Sequence, residues 1–268
     1  MIFHQLDVTN SNSQPYVKAS VYLYEAHASL HTNVRPMILV CPGGGYGMTS
    51  DREADMVAMQ FNAMGYHSAV LHYSVAPARF PTALLEVASF VRQLRENSKE
   101  WNIDPDRIAV VGFSAGGHLA CSYCCLWNEP WVAQALGCDS ELLRPNGMIL
   151  GYPVITSGEF AHHGSFHNLL GEEYEAKKDA LSLENRITDA VPTAFIWHTW
   201  EDGSVPVQNS LMLVSQLTAQ KIPCEFHMFQ PGGHGLSLSN WITNTVVEAP
   251  QQWIPLVHTW LEAWRKHE

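Results

Sequence analysis

The sequence predicts one α/β domain over residues 1–268: a mostly parallel central sheet, helices on both faces, and a small cap inserted at 152–191. Three observations predict it. Short apolar runs alternate with segments whose apolar residues recur at helical spacing, the order that builds a parallel sheet covered on both sides. Hydrophobic residues make up 46% of the chain and charged residues 15%, which supports one large core rather than two small ones. Finally, "AVVGFSAGGHLA" (109–120) passes from a strand-like run to an alanine-rich helical pattern through small residues and one serine.

The elements follow in order. Segments 3–8 and 17–24 read as an N-terminal strand pair. "MILVC" (37–41) is a buried-strand run, and 53–64 is an amphipathic helix leading into the strand "HSAVLHY" (67–73). "FPTALLEVASFVRQLREN" (80–97) carries apolar residues at helical spacing, and "RIAVVGF" (107–113) is the strand before Ser114. "GMILGYP" (147–153) and "TAFIWHT" (193–199) are later strands. "VQNSLMLVSQLTAQ" (207–220) is a helix, "CEFHMFQ" (224–230) a strand, and 249–267 a final helix. Its Trp253, Trp260 and Trp264 read as a core-packed face, with a dimer contact as the competing use. The stretch 154–191 breaks the alternation; long connections of this kind serve as lids or insertions, hence the cap.

Composition excludes several classes. A net charge of −11 argues against nucleic acid and anionic membrane as partners, since both require basic patches. No apolar run reaches the ~18 residues of a membrane span, and the first residues lack a basic-then-apolar leader pattern. These point to a cytoplasmic protein with reduced cysteines. Three of the six cysteines, Cys121, Cys124 and Cys125, crowd into one helix, but no second ligand pair at metal spacing accompanies them. No metal and no cofactor is therefore expected.

Why does a serine stand between glycines where a buried strand ends? Turn chemistry alone is the plain answer. The sharper one is a nucleophile elbow, G-x-S-x-G, in which small residues two before and two after the serine let neighbouring backbone approach. Gly112, Ser114 and Gly116 have that spacing. A serine hydroxyl needs a base, and the base needs a third group to hold its tautomer. His234, flanked by glycines in "FQPGGHGLSL", lies after a late strand; His227, inside that strand, is the weaker candidate. "WHTWEDGSVPVQNS" offers Glu201 and Asp202, one of which is to accept from His234. Oxyanion donors complete the requirement: the N–H groups of Ala115 after the nucleophile and of Gly44 and Gly45 in "CPGGGYG". A phosphate cradle is the rival use of those glycines, but neither GxGxxG nor a lysine-bearing P-loop is present.

With these pieces in order, the chain from residue 36 onward resembles the α/β-hydrolase superfamily, in particular the small bacterial lipase/esterase family of acetyl esterases and acetyl-xylan esterases. The matching pieces are "CPGGGY", "DREADMVAMQFNAMGY", "VLHYSVAP", "WNIDPDRIAVVGFSAGGHLA", "LGYPVI", "WHTWEDGSVPVQNS" and "GGHGLSL". Pro42 stands where the histidine of an H-G-G-G loop is usual. The resemblance implies an α/β-hydrolase fold. It implies Asp202, four residues before the proline of V-P, as the triad acid, with Ser114 as nucleophile and His234 as base. The implied activity is serine carboxylesterase action on short acyl esters, including acetylated sugars. A small-molecule ester is thus the expected partner, with an acetylated carbohydrate as one candidate and a homo-oligomer as a candidate assembly. The rivals are a peptidase related to the prolyl oligopeptidases and a catalytically silent binding protein of the same fold. The short run before residue 37 counts against the first, and the complete constellation against the second.

Overall fold

The computed structural model describes residues 1–266. Eight strands form one sheet: β1 (Ile2–Leu6), β2 (Lys18–Leu23), β3 (Arg35–Cys41), β4 (His67–His72), β5 (Ile103–Phe113), β6 (Gly147–Gly151), β7 (Ala194–Thr199) and β8 (Cys224–Phe229). The spatial order is β1-β2-β4-β3-β5-β6-β7-β8. β1 and β2 pair antiparallel, β2 meets β4 antiparallel, and all later neighbours are parallel. Nine helices accompany them among the described residues: α1 (Asp55–Ala63), α2 (Thr82–Glu96), α3 (Ser98–Trp101), α4 (Ala115–Leu126), α5 (Pro130–Leu136), α6 (His163–Leu170), α7 (Tyr174–Lys177), α8 (Gln208–Ala219) and α9 (Trp253–Lys266). This is the architecture the sequence predicts.

The parallel strands are apolar without a break because both faces are buried. Ile38 and Val40 of β3 enter a core shared with α1 and α9, while Met37, Leu39 and Cys41 enter the opposite core with α2, α4 and α8. The C-terminal tryptophans belong to the first of these. Trp253 is wholly buried and stacks on Trp197 at 5.5 Å, and Trp260 is 9% exposed. His267, which the sequence reading includes in the last helix, lies outside the described residues. Among the described residues, no helix is long and apolar enough to cross a membrane.

Differences from expectation are local. β5 starts at Ile103, earlier than its apolar run, because Ile103 pairs with Arg35 before a register shift. The short helices α3 and α5 are additions. α5 carried a readable signal, with Pro130 in its first turn and Gly137 closing it at φ 62°. The excursion between β6 and β7 contains α6, α7 and three 3-10 turns.

Topology locates a crevice. The chain leaves β3 for β4 on one side and returns past β3 to β5 on the other, so the connections after β3 and β5 diverge. Crevices open at the carboxyl ends of strands at such switch points. Cys41, ending β3, lies beside Gly112 near the end of β5, so the glycine loop and the serine bend meet there.

The closeness of that meeting is testable. A Cβ on Gly116 would stand 2.2 Å from the Cys41 carbonyl oxygen and 2.3 Å from that of Pro42. Both obstacles are backbone, so Gly116→Ala is expected to cost about 3 kcal/mol or more and to lower Tm by roughly 6–12 °C. Gly203→Ala, with nothing within 4 Å of its Cβ, is expected to stay within about 0.5 kcal/mol of the parent. Thermal unfolding of both variants checks the pair.

Candidate active site

Ser114 sits between the end of β5 and the first residue of α4 at φ 52°, ψ −120°, a region side-chain-bearing residues rarely enter. The bend is tight on both flanks. A Cβ on Gly112 would lie 2.2 Å from the Gly116 carbonyl oxygen, and Gly116 is itself pressed against the end of β3. The spacing therefore reflects direct backbone contact, and it lifts the serine hydroxyl off the sheet edge.

The Ser114 hydroxyl donates to His234 Nε2 at 2.8 Å, and His234 Nδ1 donates to Asp202 Oδ2 at 2.7 Å. A carboxylate only accepts, so Nδ1 carries the proton and Nε2 is left to accept from serine. Asp202 Oδ1 accepts from the N–H groups of Ser204 (3.0 Å) and Val205 (2.9 Å), which closes the turn after β7 around the carboxylate. Burial by itself would raise the Asp202 pKa. Hydrogen bonds from His198, His234 and the Val205 N–H outweigh it and hold the carboxyl well below the usual carboxylate range. Glu201 points elsewhere: it is exposed and accepts from the Gly232 N–H at 3.1 Å, bracing the base of the histidine loop. His227 pairs with Glu225 on β8 at 2.6 Å.

The loop after β3 faces this row. Gly44, Gly45 and Tyr46 have φ of 131°, 64° and 56° in succession, so the peptide planes turn away from strand geometry. Among the described residues, the N–H groups of Gly44 and Gly45 meet no protein acceptor. The N–H of Ala115 belongs to the unpaired first turn of α4, at the positive end of a buried twelve-residue helix. Gly44 and Gly45 border one cleft, of about 400 Å³, with Ser114 and His234 on its wall, and Ala115 directly follows Ser114.

Three contributors escaped the sequence reading. Glu53 is 4% exposed, and its two carboxylate oxygens accept from the Gly43 N–H (2.8 Å) and the Tyr152 hydroxyl (2.6 Å). Burial raises its pKa, against these hydrogen bonds. Tyr152 also accepts from the Ser237 N–H at 2.8 Å and sets its ring edge-on to the His234 imidazole at 5.1 Å. His198, wholly buried, lies 3.3 Å from Asp202 Oδ2 and is held by Ser210 and the Val205 carbonyl. A glutamate at a helix start reads as an ordinary first-turn acid. Its partners Gly43 and Tyr152 lie on other loops, one of them 99 residues away in sequence.

The excursion after β6 also reaches the site. His162, the N-cap of α6, lines the cleft and accepts from the Ser165 N–H. Burial and the neighbouring His234 lower its pKa. His163 hydrogen-bonds Tyr174, and His167 stacks on the same ring at 3.9 Å. Asn168 donates to the Gly45 carbonyl at 2.9 Å, fastening α6 to the glycine loop. Among the described residues, no group of three or more His, Cys, Asp or Glu is placed to hold a metal ion.

The chain is similar to known proteins along most of its length. The prolyl oligopeptidase family pattern matches residues 85–255, and the BD-FAE family pattern matches residues 23–144. The chain is 34% identical over 246 residues to endo-1,4-beta-xylanase B of Butyrivibrio fibrisolvens, covering 87% of this chain and 38% of that one. It is 30% identical over 211 residues to an acetylxylan esterase of Xylanibacter ruminicola, covering 76% and 42%. The chain thus spans about two-fifths of the length of these curated relatives. Among solved structures, an acetyl ester-xyloside bifunctional hydrolase from Caldicellulosiruptor lactoaceticus superposes with a TM-score of 0.82 at 34% identity, covering 97% of this chain and 96% of that one. A carboxylesterase from Lactobacillus plantarum gives 0.84 at 26% identity, covering 98% of each.

The Glu53 linkage generates a prediction. In Glu53→Gln the amide nitrogen cannot accept, so either the Gly43 N–H or the Tyr152 hydroxyl loses its buried acceptor. The variant is expected to lose about 1–3 kcal/mol in urea unfolding, and Glu53→Asp, too short to span both partners, is expected to lose a similar amount.

Proposed function

The chain belongs to the α/β-hydrolase superfamily, and on that footing we propose that it is a serine carboxylesterase that removes short acyl groups, acetyl above all, from the hydroxyl groups of sugars. The observation that carries the reading is the unbroken hydrogen-bonded row from the Ser114 hydroxyl through His234 to Asp202, opening into a cleft bordered by unpaired backbone donors.

In this reading His234 Nε2 takes the Ser114 proton as Oγ attacks the ester carbonyl carbon. Negative charge passes to the carbonyl oxygen, where the N–H groups of Gly44, Gly45 and Ala115 stabilise it. Asp202 holds the Nδ1–H tautomer and stabilises the imidazolium that forms. The tetrahedral intermediate collapses, the C–O bond to the alcohol breaks, and His234 returns the proton to the leaving oxygen. Water then repeats the sequence on the acyl-enzyme and releases the acid. Nucleophile, base and oxyanion donors are all protein groups, so this route calls on no metal or organic cofactor.

Carbohydrate substrates are supported by hydrogen-bonding side chains on the cleft wall, Ser50, Arg52, His162 and Ser204, and by relatives named for xylan and acetylxylan chemistry. Six free thiols, four of them buried, fit a reducing compartment, and we place the chain in the cytoplasm. A peptidase is the second reading, favoured by the prolyl oligopeptidase pattern over 85–255.

Ser114→Ala is expected to lower kcat for p-nitrophenyl acetate by on the order of 10⁶ while the fold is kept. A folded alanine variant with a few per cent of parental activity would remove Ser114 from the mechanism. Proline p-nitroanilide, assayed beside the ester, separates esterase from peptidase. The acid is tested by two isosteric changes. Asp202→Asn is expected to lose about 10⁴ in kcat, as in the trypsin case, and Glu201→Gln less than about tenfold. The opposite ranking would transfer the role to Glu201. Release of acetate from acetylated xylo-oligosaccharides, followed by titration, checks the substrate class.

A further inference from the structure

We propose that His162 is a specificity-determining residue: held on the cleft wall as the neutral Nε2–H tautomer, it donates a hydrogen bond to an oxygen of the sugar that carries the scissile ester. This rests on the carboxylesterase reading above and names the side chain that selects its alcohol.

The tautomer follows from what holds the ring. His162 caps α6, and its Nδ1 accepts from the Ser165 N–H at 3.3 Å, a donor it shares with its own carbonyl at 3.0 Å. A backbone N–H only donates, so Nδ1 carries no proton in this contact. The Ser165 hydroxyl, 2.8 Å from the same nitrogen, then donates to it as well. Ser165 is 1% exposed, so this end of the ring is fixed to a buried residue. The proton of the neutral imidazole therefore stands on Nε2.

That second nitrogen is the one left for a ligand. The His162 side chain lines the same cleft as Ser114, His234, Gly44 and Gly45. The Nε2–H diverges from the Nδ1 contact by the geometry of the ring, and among the described residues it meets no protein acceptor. Burial and the neighbouring His234 lower the His162 pKa, against Asp202, which favours the uncharged ring. With its proton on Nε2 the ring is a donor there and not a second base, so it leaves the Ser114 proton to His234.

The chemistry of the substrate decides the acceptor. The ester carbonyl oxygen is assigned to the N–H groups of Gly44, Gly45 and Ala115, and an acetyl group has no other atom that hydrogen-bonds. An acceptor for His162 thus belongs to the alcohol, and a sugar is an alcohol dense in such oxygens.

Two substitutions separate the donor from the cap. In His162→Asn the side-chain oxygen can still accept from the Ser165 N–H, and asparagine is a good helix cap, but the chain is too short to bring an N–H to the Nε2 position. His162→Gln is long enough to reach it. The experiment measures kcat/KM by acetate titration for a methyl xyloside carrying one acetyl group and for ethyl acetate, whose alcohol has no further oxygen. The sugar-to-ethyl ratio is expected to fall about three- to tenfold in His162→Asn, the value of one neutral hydrogen bond, and less in His162→Gln. The fall is expected mainly in KM for the sugar ester, because an oxygen away from the reacting bond is held alike before and in the transition state. A purely structural role for His162 lowers Tm and both rates together and leaves the ratio within about twofold of the parent; that result, or a larger fall in His162→Gln than in His162→Asn, overturns the assignment and leaves the esterase reading standing. A parent that cleaves ethyl acetate alone overturns the sugar and His162 assignments. A parent that cleaves neither ester overturns the esterase reading and this one with it.

Discussion

The backbone of Ser114 is the constraint around which the rest is arranged. A non-glycine residue at φ 52° stores on the order of 1–3 kcal/mol and persists only if its surroundings leave no alternative. Here its N–H donates to the Gly151 carbonyl of β6, and its carbonyl accepts from His118 and Val154. Gly112 and Gly116 allow β3, β5 and α4 to converge with backbone touching backbone. Main-chain geometry consequently fixes where the Ser114 Cβ stands, so partners placed on other strands can meet its hydroxyl at hydrogen-bond distance.

Those partners arrive on loops, which would be mobile unless anchored. Glu53 supplies the anchor. It accepts from Gly43 after β3 and from Tyr152 after β6, and Tyr152 in turn accepts from Ser237 in the histidine loop. Trp253 of α9 donates to the Ser237 carbonyl at 2.9 Å and stacks on Trp197 of β7. Three loops that never meet in sequence are thereby fastened to one buried carboxylate and one aromatic stack. The site holds two acids with different work. Asp202 is surrounded by donors and stays ionised beside the imidazole. Glu53, raised by burial, holds backbone.

The excursion between β6 and β7 adds the third boundary. His162, the N-cap of its helix α6, lines the cleft, Phe166 and Leu169 pack into the core, and Asn168 is fixed to the glycine loop. A short segment of eight residues is enough to anchor itself because Phe166 and Leu169, three apart, share the face that packs inward.

The sequence by itself determined the strand order of the chemistry. Alternating apolar runs and helical patterns gave all eight strands and the long helices, because a parallel sheet buried on both faces needs unbroken apolar strands. The hydrogen-bonded convergence of Ser114, Asp202 and His234 could be expected because each stands just after a strand in a turn-forming neighbourhood: Gly112 and Gly116, the turn before Pro206, and the glycines around residue 234. Choosing Asp202 over Glu201 already needed likeness to relatives. Both are adjacent acids in one turn, and only folding directs one to His234 and the other to Gly232. Glu53, Tyr152 and His198 were not legible, since their partners lie on elements distant in sequence and their types carry no local signal. The same holds for the packing beside the glycine loop. Tyr46, His118, Val154 and Phe166 come from four separate segments, and their enclosure is a property of packing that exists only once the sheet has brought those segments to one edge.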